Sequence, residues 1–170
     1  MRRILLLLVG AMILSGCGTM GMPMPQTVEE FRTAVAGTDS SWVKSESKDF
    51  KRRWGDVQKS MQKYAARCLN YKTTHTRNGA VMYVEYQRTF FEKTGKYKSY
   101  MAMQVESPAF SKRDDVPDGG VFRMIVDMES IGKGKSRVTY HGPGMFFGKQ
   151  RDALWEASEG KEPKYCPGKS

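Results

Sequence analysis

Met82-Tyr83-Val84-Glu85-Tyr86-Gln87 opens the stretch whose period decides the fold. Met82, Val84, Tyr86 and Phe90 alternate with Tyr83, Glu85, Gln87 and Thr89. Glu92-Lys93-Thr94-Gly95-Lys96 then supplies a glycine-containing turn, and Tyr97, Met101, Met103 and Val105 alternate with Lys98, Gln104 and Glu106 on the way back. A period of two on both sides of a turn predicts a β-hairpin with one face on a core and one towards water. Downstream the pattern recurs. Phe122, Met124, Val126 and Met128 alternate with Arg123, Asp127 and Glu129, Gly132-Lys133-Gly134 turns the chain, and Val138 and Tyr140 return. Two hairpins predict a four-stranded antiparallel sheet.

Upstream the period lengthens. From Asp49, a reasonable N-cap, Phe50, Trp54, Val57, Met61, Tyr64, Ala65 and Cys68 recur at steps of three and four, which places them on one stripe of a long amphipathic helix. Thr27-Val28-Glu29-Glu30 has the form of a capping box and starts a short first helix that Gly37 ends. A last helix is expected between Gly144 and Glu159, carrying Phe147, Leu154 and Trp155 and closed by Gly160. The expected fold class is α+β: a four-stranded antiparallel sheet covered by a long amphipathic helix, with short N-terminal and C-terminal helices.

The amino terminus has a different character. Arg2-Arg3 precedes an unbroken apolar run from Ile4 to Leu14, and small residues follow. This is the layout of a secretory signal, and the run falls short of the ~20 residues that span a bilayer. Leu14-Ser15-Gly16-Cys17 resembles the lipobox of bacterial lipoproteins. The resemblance implies cleavage before Cys17, acylation of that cysteine, and an anchor in a membrane. Residues 1–16 are then a signal peptide, 17–25 a lipidated tether of Gly, Met and Pro, and 26–170 a single domain. By the same resemblance, Gly18 after the cysteine favours the outer membrane of a Gram-negative envelope, on its periplasmic side.

Loss of the leader leaves 154 residues and takes the formal charge from +10 to +8. That length suits one domain and buries roughly two-thirds of its unfolded surface. A basic exported domain suggests anionic lipid, acidic polysaccharide or an acidic protein as its neighbour and makes nucleic acid an improbable one. With Cys17 taken by lipid, Cys68 and Cys166 remain as a pair in a compartment where disulfides persist, and a bridge between them is expected.

Sites of chemistry are sparse. His75 and His141 lie too far apart for a local metal motif, and no zinc-protease, phosphate-loop or serine-elbow pattern occurs. Asp114, Asp115 and Asp118 crowd the loop from Ser107 to Gly120, but Lys112 and Arg113 adjoin them and Pro117-Asp118-Gly119-Gly120 is ordinary turn chemistry. That loop is long enough to be a contact surface. Met20, Met22 and Met24 offer soft thioethers of the kind monovalent copper takes, yet they sit beside an acylated terminus where lipid is the simpler surrounding. Tyr83, Tyr86, Tyr97, Tyr100, Phe90 and Phe91 gather in the first hairpin, either as cross-strand pairs or as the lining of a pocket. Arg52, Lys59, Lys63 and Arg67 fall opposite the helix stripe, a candidate contact for an anionic surface.

These features favour a non-catalytic envelope lipoprotein with a binding or structural role, contacting a protein partner or an anionic envelope component, with no cofactor and no metal. Two alternatives stand beside it. One is a carrier of a hydrophobic ligand, which requires a cavity under the long helix. The other is a hydrolase built from distant residues, which a nucleophile–histidine–carboxylate cluster near His141 would favour.

Overall fold

The computed structural model describes residues 24–38, 41–110, 113–145 and 147–167. Helix α1 (Val28–Ala36) opens the domain. Strand β1 (Val43–Phe50), helix α2 (Trp54–Tyr64) with a π turn over Ala65–Leu69, and strand β2 (Tyr71–Arg77) follow. Next come β3 (Ala80–Gly95), β4 (Lys98–Glu106), β5 (Val121–Gly132), β6 (Lys135–Pro143) and α3 (Gly148–Glu159). The expected hairpins are present as β3–β4 and β5–β6. They form the centre of a six-stranded antiparallel sheet in the order β1-β6-β5-β4-β3-β2. The four-stranded sheet is thus corrected to six strands.

The two additional strands are the edges, and each escapes the period for its own reason. In β1, Val43-Lys44-Ser45-Glu46-Ser47-Lys48-Asp49-Phe50, only Phe50 is buried, so neither face shows an apolar alternation. Asp49 accordingly lies in a strand, opposite Arg137 of β6, whose guanidinium grips it at 2.7 and 3.0 Å. It does not cap a helix. The residue before α2 is Arg53, which makes no side-chain capping bond. In β2, Tyr71-Lys72-Thr73-Thr74-His75-Thr76-Arg77, no residue is buried. The Asn78-Gly79 turn that joins it to β3 has positive φ at both positions, 51° and 79°. This two-residue turn matches the right-handed twist of the flanking strands, and asparagine and glycine tolerate the left-handed backbone it needs.

The sheet buries both faces, unequally. On one side α2, its π turn and α3 cover Met101, Met103, Met124, Val126, Met128, Val138 and Tyr140. Val57, Met61, Tyr64, Cys68 and Leu69 are the buried stripe of α2 and the π turn, as their spacing requires. Trp54 fixes the start of α2, its indole N–H donating to Met128 O at 3.2 Å and to Ser99 Oγ at 3.3 Å. The opposite face carries α1, with Phe31 and Val35 packed on Tyr100, Ala102 and Ile125. Thr27 Oγ1 accepts from the Glu30 amide at 3.1 Å, and the Glu30 carboxylate reaches back one residue further than a capping box does, to the Gln26 amide at 2.7 Å. Gly160, in the left-handed region with φ 82°, ends α3. A disulfide joins Cys68 to Cys166, with its sulfurs 2.05 Å apart, and ties the tail to the end of the π turn. Cys17 lies outside the described residues, as do Met20 and Met22.

Candidate docking surface

Strand β3 is 16 residues long, and its two neighbours pair with different halves of it. β4 pairs with it from Tyr86, opposite Glu106, to Gly95, whereas β2 pairs from Ala80 to Gln87. The hairpin of β2 with the first part of β3 therefore overhangs the sheet as an arm. β-Branched Thr73, Thr74, Thr76, Val81 and Val84 suit the extended backbone. A bulge between His75 and Thr76 pairs Thr76 with Val81 and His75 with Tyr83, which leaves Met82 as the extra residue.

Where β4 ends at Glu106, the chain turns away into the 107–120 loop and leaves one edge of β3 without a strand partner among the described residues. Several bonds hold that loop to the sheet. Gln104, buried in β4, donates through Nε2 to Asp118 O and Gly120 O, both at 3.0 Å. Arg113 clamps Asp115 through two bonds of 2.8 and 2.7 Å. The guanidinium holds the Asp115 carboxyl well below the ordinary carboxylate range, helped by the Met24 amide, which donates to Asp115 Oδ2 at 3.0 Å. Asp115 is thus committed to a cation and a backbone amide. No three metal-ligating side chains of the His, Cys, Asp and Glu type converge among the described residues.

Between arm and loop lies a groove of about 620 Å³, lined among others by Val84, Tyr86, Arg88, Phe110, Arg113 and Val116. Arg113 is already spent on Asp115, so the apolar walls with the Arg88 guanidinium suit an extended segment that combines apolar side chains with a carboxylate. The Arg88 guanidinium sits over the Tyr86 ring, 5.6 Å from its centroid. Its contact with Glu106 is long at 3.8 Å and exposed, so it is available to a better acceptor. The unpaired stretch of β3 adds backbone donors and acceptors of the kind that β-strand addition uses.

The four basic residues expected on the outer face of α2 do not form one free patch. Arg52 precedes the helix and turns inward, donating through Nη1 to Ser158 O at 2.8 Å at the carboxyl end of α3. Arg67 is paired with Glu162. Lys59 and Lys63 stay exposed, with no ion-pair partner among the described residues. The aromatic residues of the first hairpin separate too. Tyr100 is buried against Phe90 in an edge-on contact, while Tyr86 and Tyr97 stay exposed. Burial, with the Glu92 carboxylate that accepts its hydroxyl, pushes Tyr100 up to about 12.

A second constellation lies under α1 and was invisible to spacing in sequence. Ser45 Oγ is 3.1 Å from His141 Nδ1, and His141 Nε2 is 3.1 Å from Asp127 Oδ2. Strands β1, β6 and β5 are neighbours in the sheet, and that order alone gathers the three side chains. Asp127 also accepts two bonds from the Arg32 guanidinium of α1, one of them 2.9 Å from Nε. Burial raises the Asp127 carboxyl, but hydrogen bonds from His141 and Arg32 outweigh it and hold the group below its ordinary range. Its charge is thus already shared with a guanidinium. His75, by contrast, lies on the arm, stacked on Tyr83 with ring centroids 4.3 Å apart and bonded to Glu85 at 3.0 Å. Compared with family models, with curated proteins and with solved structures, the chain matches none.

Proposed function

We propose that the protein is a non-catalytic lipoprotein of the bacterial envelope, held by acylated Cys17 at the periplasmic face of the outer membrane, which docks an extended acidic segment of an envelope protein. The groove at the foot of the arm carries this reading, because it sets Arg88 beside apolar walls and an unpaired strand edge. The chain at Met24 to Gln26 is bonded to the same loop, with Gln26 Nε2 donating to Asp115 O at 2.6 Å, so it enters the domain at the end that carries the groove. The test is a photo-crosslinking residue in place of Tyr86, in intact envelopes, with one in place of Lys133 as control. The expected result is an adduct with an acidic peptide at position 86 only, lost on Arg88→Glu. An adduct that survives this charge reversal, or appears equally at both positions, overturns the groove assignment.

The Ser45–His141–Asp127 contacts support a second reading, a serine hydrolase. Labelling of Ser45 by a fluorophosphonate, abolished by His141→Asn, would establish it; Ser45 left unmodified by the reagent would end it. A hydrophobic-ligand carrier has less support. The space beneath α2 and α3 is occupied by buried Met61, Met101, Met103, Met124, Met128 and Leu154.

A further inference from the structure

We propose that the tip of the β2–β3 arm, Arg77 to Met82, lodges in the headgroup interface of the bilayer that holds the lipid anchor, so that the arm sets the orientation of the domain on the membrane. The proposal rests on the lipoprotein reading of Cys17 and is independent of what occupies the groove.

Three observations point the same way. The first is exposure: Val81 is 63% and Met82 58% accessible at the end of a hairpin whose outer half pairs with no further strand among the described residues. Two neighbouring large apolar side chains at a projecting tip, one of them displaced by a bulge, are costly in water and suit an interface. The second is charge. From Tyr71 to Glu85 the arm carries Lys72 and Arg77 against Glu85. Glu85 faces His75 at 3.0 Å and Lys72 lies at the foot, opposite Tyr86, so Arg77, beside the Asn78-Gly79 turn, is the charge nearest the tip, and it has the sign that anionic headgroups attract. Tyr83, one residue beyond Met82, adds an amphipathic ring of the type that settles at headgroup depth.

The third is length. The tether leaves the domain at Met24, which is bonded to Asp115 in the loop at the arm's end of the sheet. Six residues lie between Cys17 and Met24, and the seven steps from one to the other, at ~3.1 Å each, reach at most about 22 Å. The arm projects seven residues beyond the last β3–β4 pair, from Tyr86 to Gly79, which at ~3.3 Å per residue is also about 23 Å. The two reaches match. A domain hanging from Cys17 with this end towards the lipid therefore brings the tip to the membrane plane with the tether extended. The groove at the foot of the arm is then held one arm's length from the membrane.

The experiment uses the mature lipoprotein purified from membranes, in which Cys17 carries lipid and Cys68 and Cys166 are bridged, so that an introduced cysteine is the free thiol. Val81→Cys is labelled with an environment-sensitive nitrobenzoxadiazole dye, and Lys133→Cys, in the turn at the opposite end of the sheet, serves as control. Both are reconstituted into vesicles of phosphatidylethanolamine and phosphatidylglycerol, with and without spin-labelled lipid. The expected result is a several-fold rise and a blue shift of the dye at position 81, quenched by spin-labelled lipid, with the dye at position 133 remaining aqueous. Mass analysis of the amino-terminal peptide is run on the same sample. Acylated Cys17 with an aqueous dye at position 81 overturns the arm proposal and leaves the anchor intact. An unacylated Cys17 overturns both. Equal lipid quenching at the two positions also rejects it, since the arm would then set no orientation.

Discussion

At Asp127, side chains from two other elements converge on one half-buried carboxylate: Arg32 from α1 and His141 from β6. Arg32 also reaches Glu29 at 2.9 Å and lies over the Tyr100 ring, so this carboxylate is the polar pin of α1 on its face of the sheet. Removing one partner of such a pair leaves the other charge uncompensated. Asp127→Asn is therefore expected to cost about 2–3 kcal/mol at neutral pH, towards the lower end of the range for buried pairs because solvent reaches this one. The pH dependence follows from the direction of the shift. The folded carboxyl sits below its ordinary value, so its contribution is complete above the unfolded carboxylate range, near pH ~4. It is then lost as the pH falls through the lower folded value. Urea melts of wild type and variant should converge on acidification below about pH 4. A gap that stays constant there would mean that the stability difference comes from packing and not from charge.

Among the elements, α2 and α3 are tied by groups that a sequence pattern assigns to solvent. Arg52 caps the Ser158 carbonyl at the end of α3, and of the four basic residues Lys59 and Lys63 stay exposed without an ion-pair partner among the described residues. Arg52→Gln should cost about 1–2 kcal/mol by leaving that carbonyl without its charged donor, while Lys59→Gln with Lys63→Gln leaves the urea midpoint where it was. Equal effects from the two variants would contradict the cap. The bridge between Cys68 and Cys166 closes 98 residues of chain and, in the chain-entropy account, contributes about 4–5 kcal/mol. Non-reducing peptide mapping should give one crosslinked pair, and Cys68→Ala with Cys166→Ala should lower stability by that order; two free thiols in the exported protein would refute it. The stripe of α2, the central hairpins and this pairing are legible in the sequence because each is a repeating or closed pattern. The arm was missed: Asn78-Gly79 marks its turn, but its flanking strands are polar and the alternation gains an apolar face only from Met82. Strand β1 is a different case. Its only buried residue, Phe50, falls in register with the helical stripe that follows, so the period extends the helix backwards over it. The groove was half visible, since the length of the 107–120 loop marks a contact surface, while the wall supplied by Tyr86 and Arg88 depends on the overhang. The Ser45–His141–Asp127 contacts span 96 and 14 residues, and nothing short of the strand order brings them together.

For the whole molecule, the distribution of burial implies a graded stability. Residues 99–105 of β4 are buried without interruption and stand between two paired strands. In β2 and in β3 up to Tyr86, no residue is buried, and no third strand pairs with the outer arm among the described residues. Local opening costs least where few apolar contacts are lost. An isolated two-stranded hairpin is marginal in water, so the outer arm behaves nearly as one. Hydrogen exchange of the soluble domain should show amides of Lys72 to Val84 opening at about 0–2 kcal/mol. Those of β4, β5 and β6 should exchange only through global unfolding, at about 5–15 kcal/mol. The bridged π turn next to β2 sharpens the boundary, because Leu69 and Cys68 are fully buried immediately before the exposed strand begins. Protection should rise abruptly between Tyr86 and Thr89, where β4 joins the pairing and the Asn70 side chain accepts from the Thr89 amide at 2.6 Å. Arm amides as slow as those of β4 in the lipid-free protein would show that the hairpin is stabilised by contacts other than its own ladder.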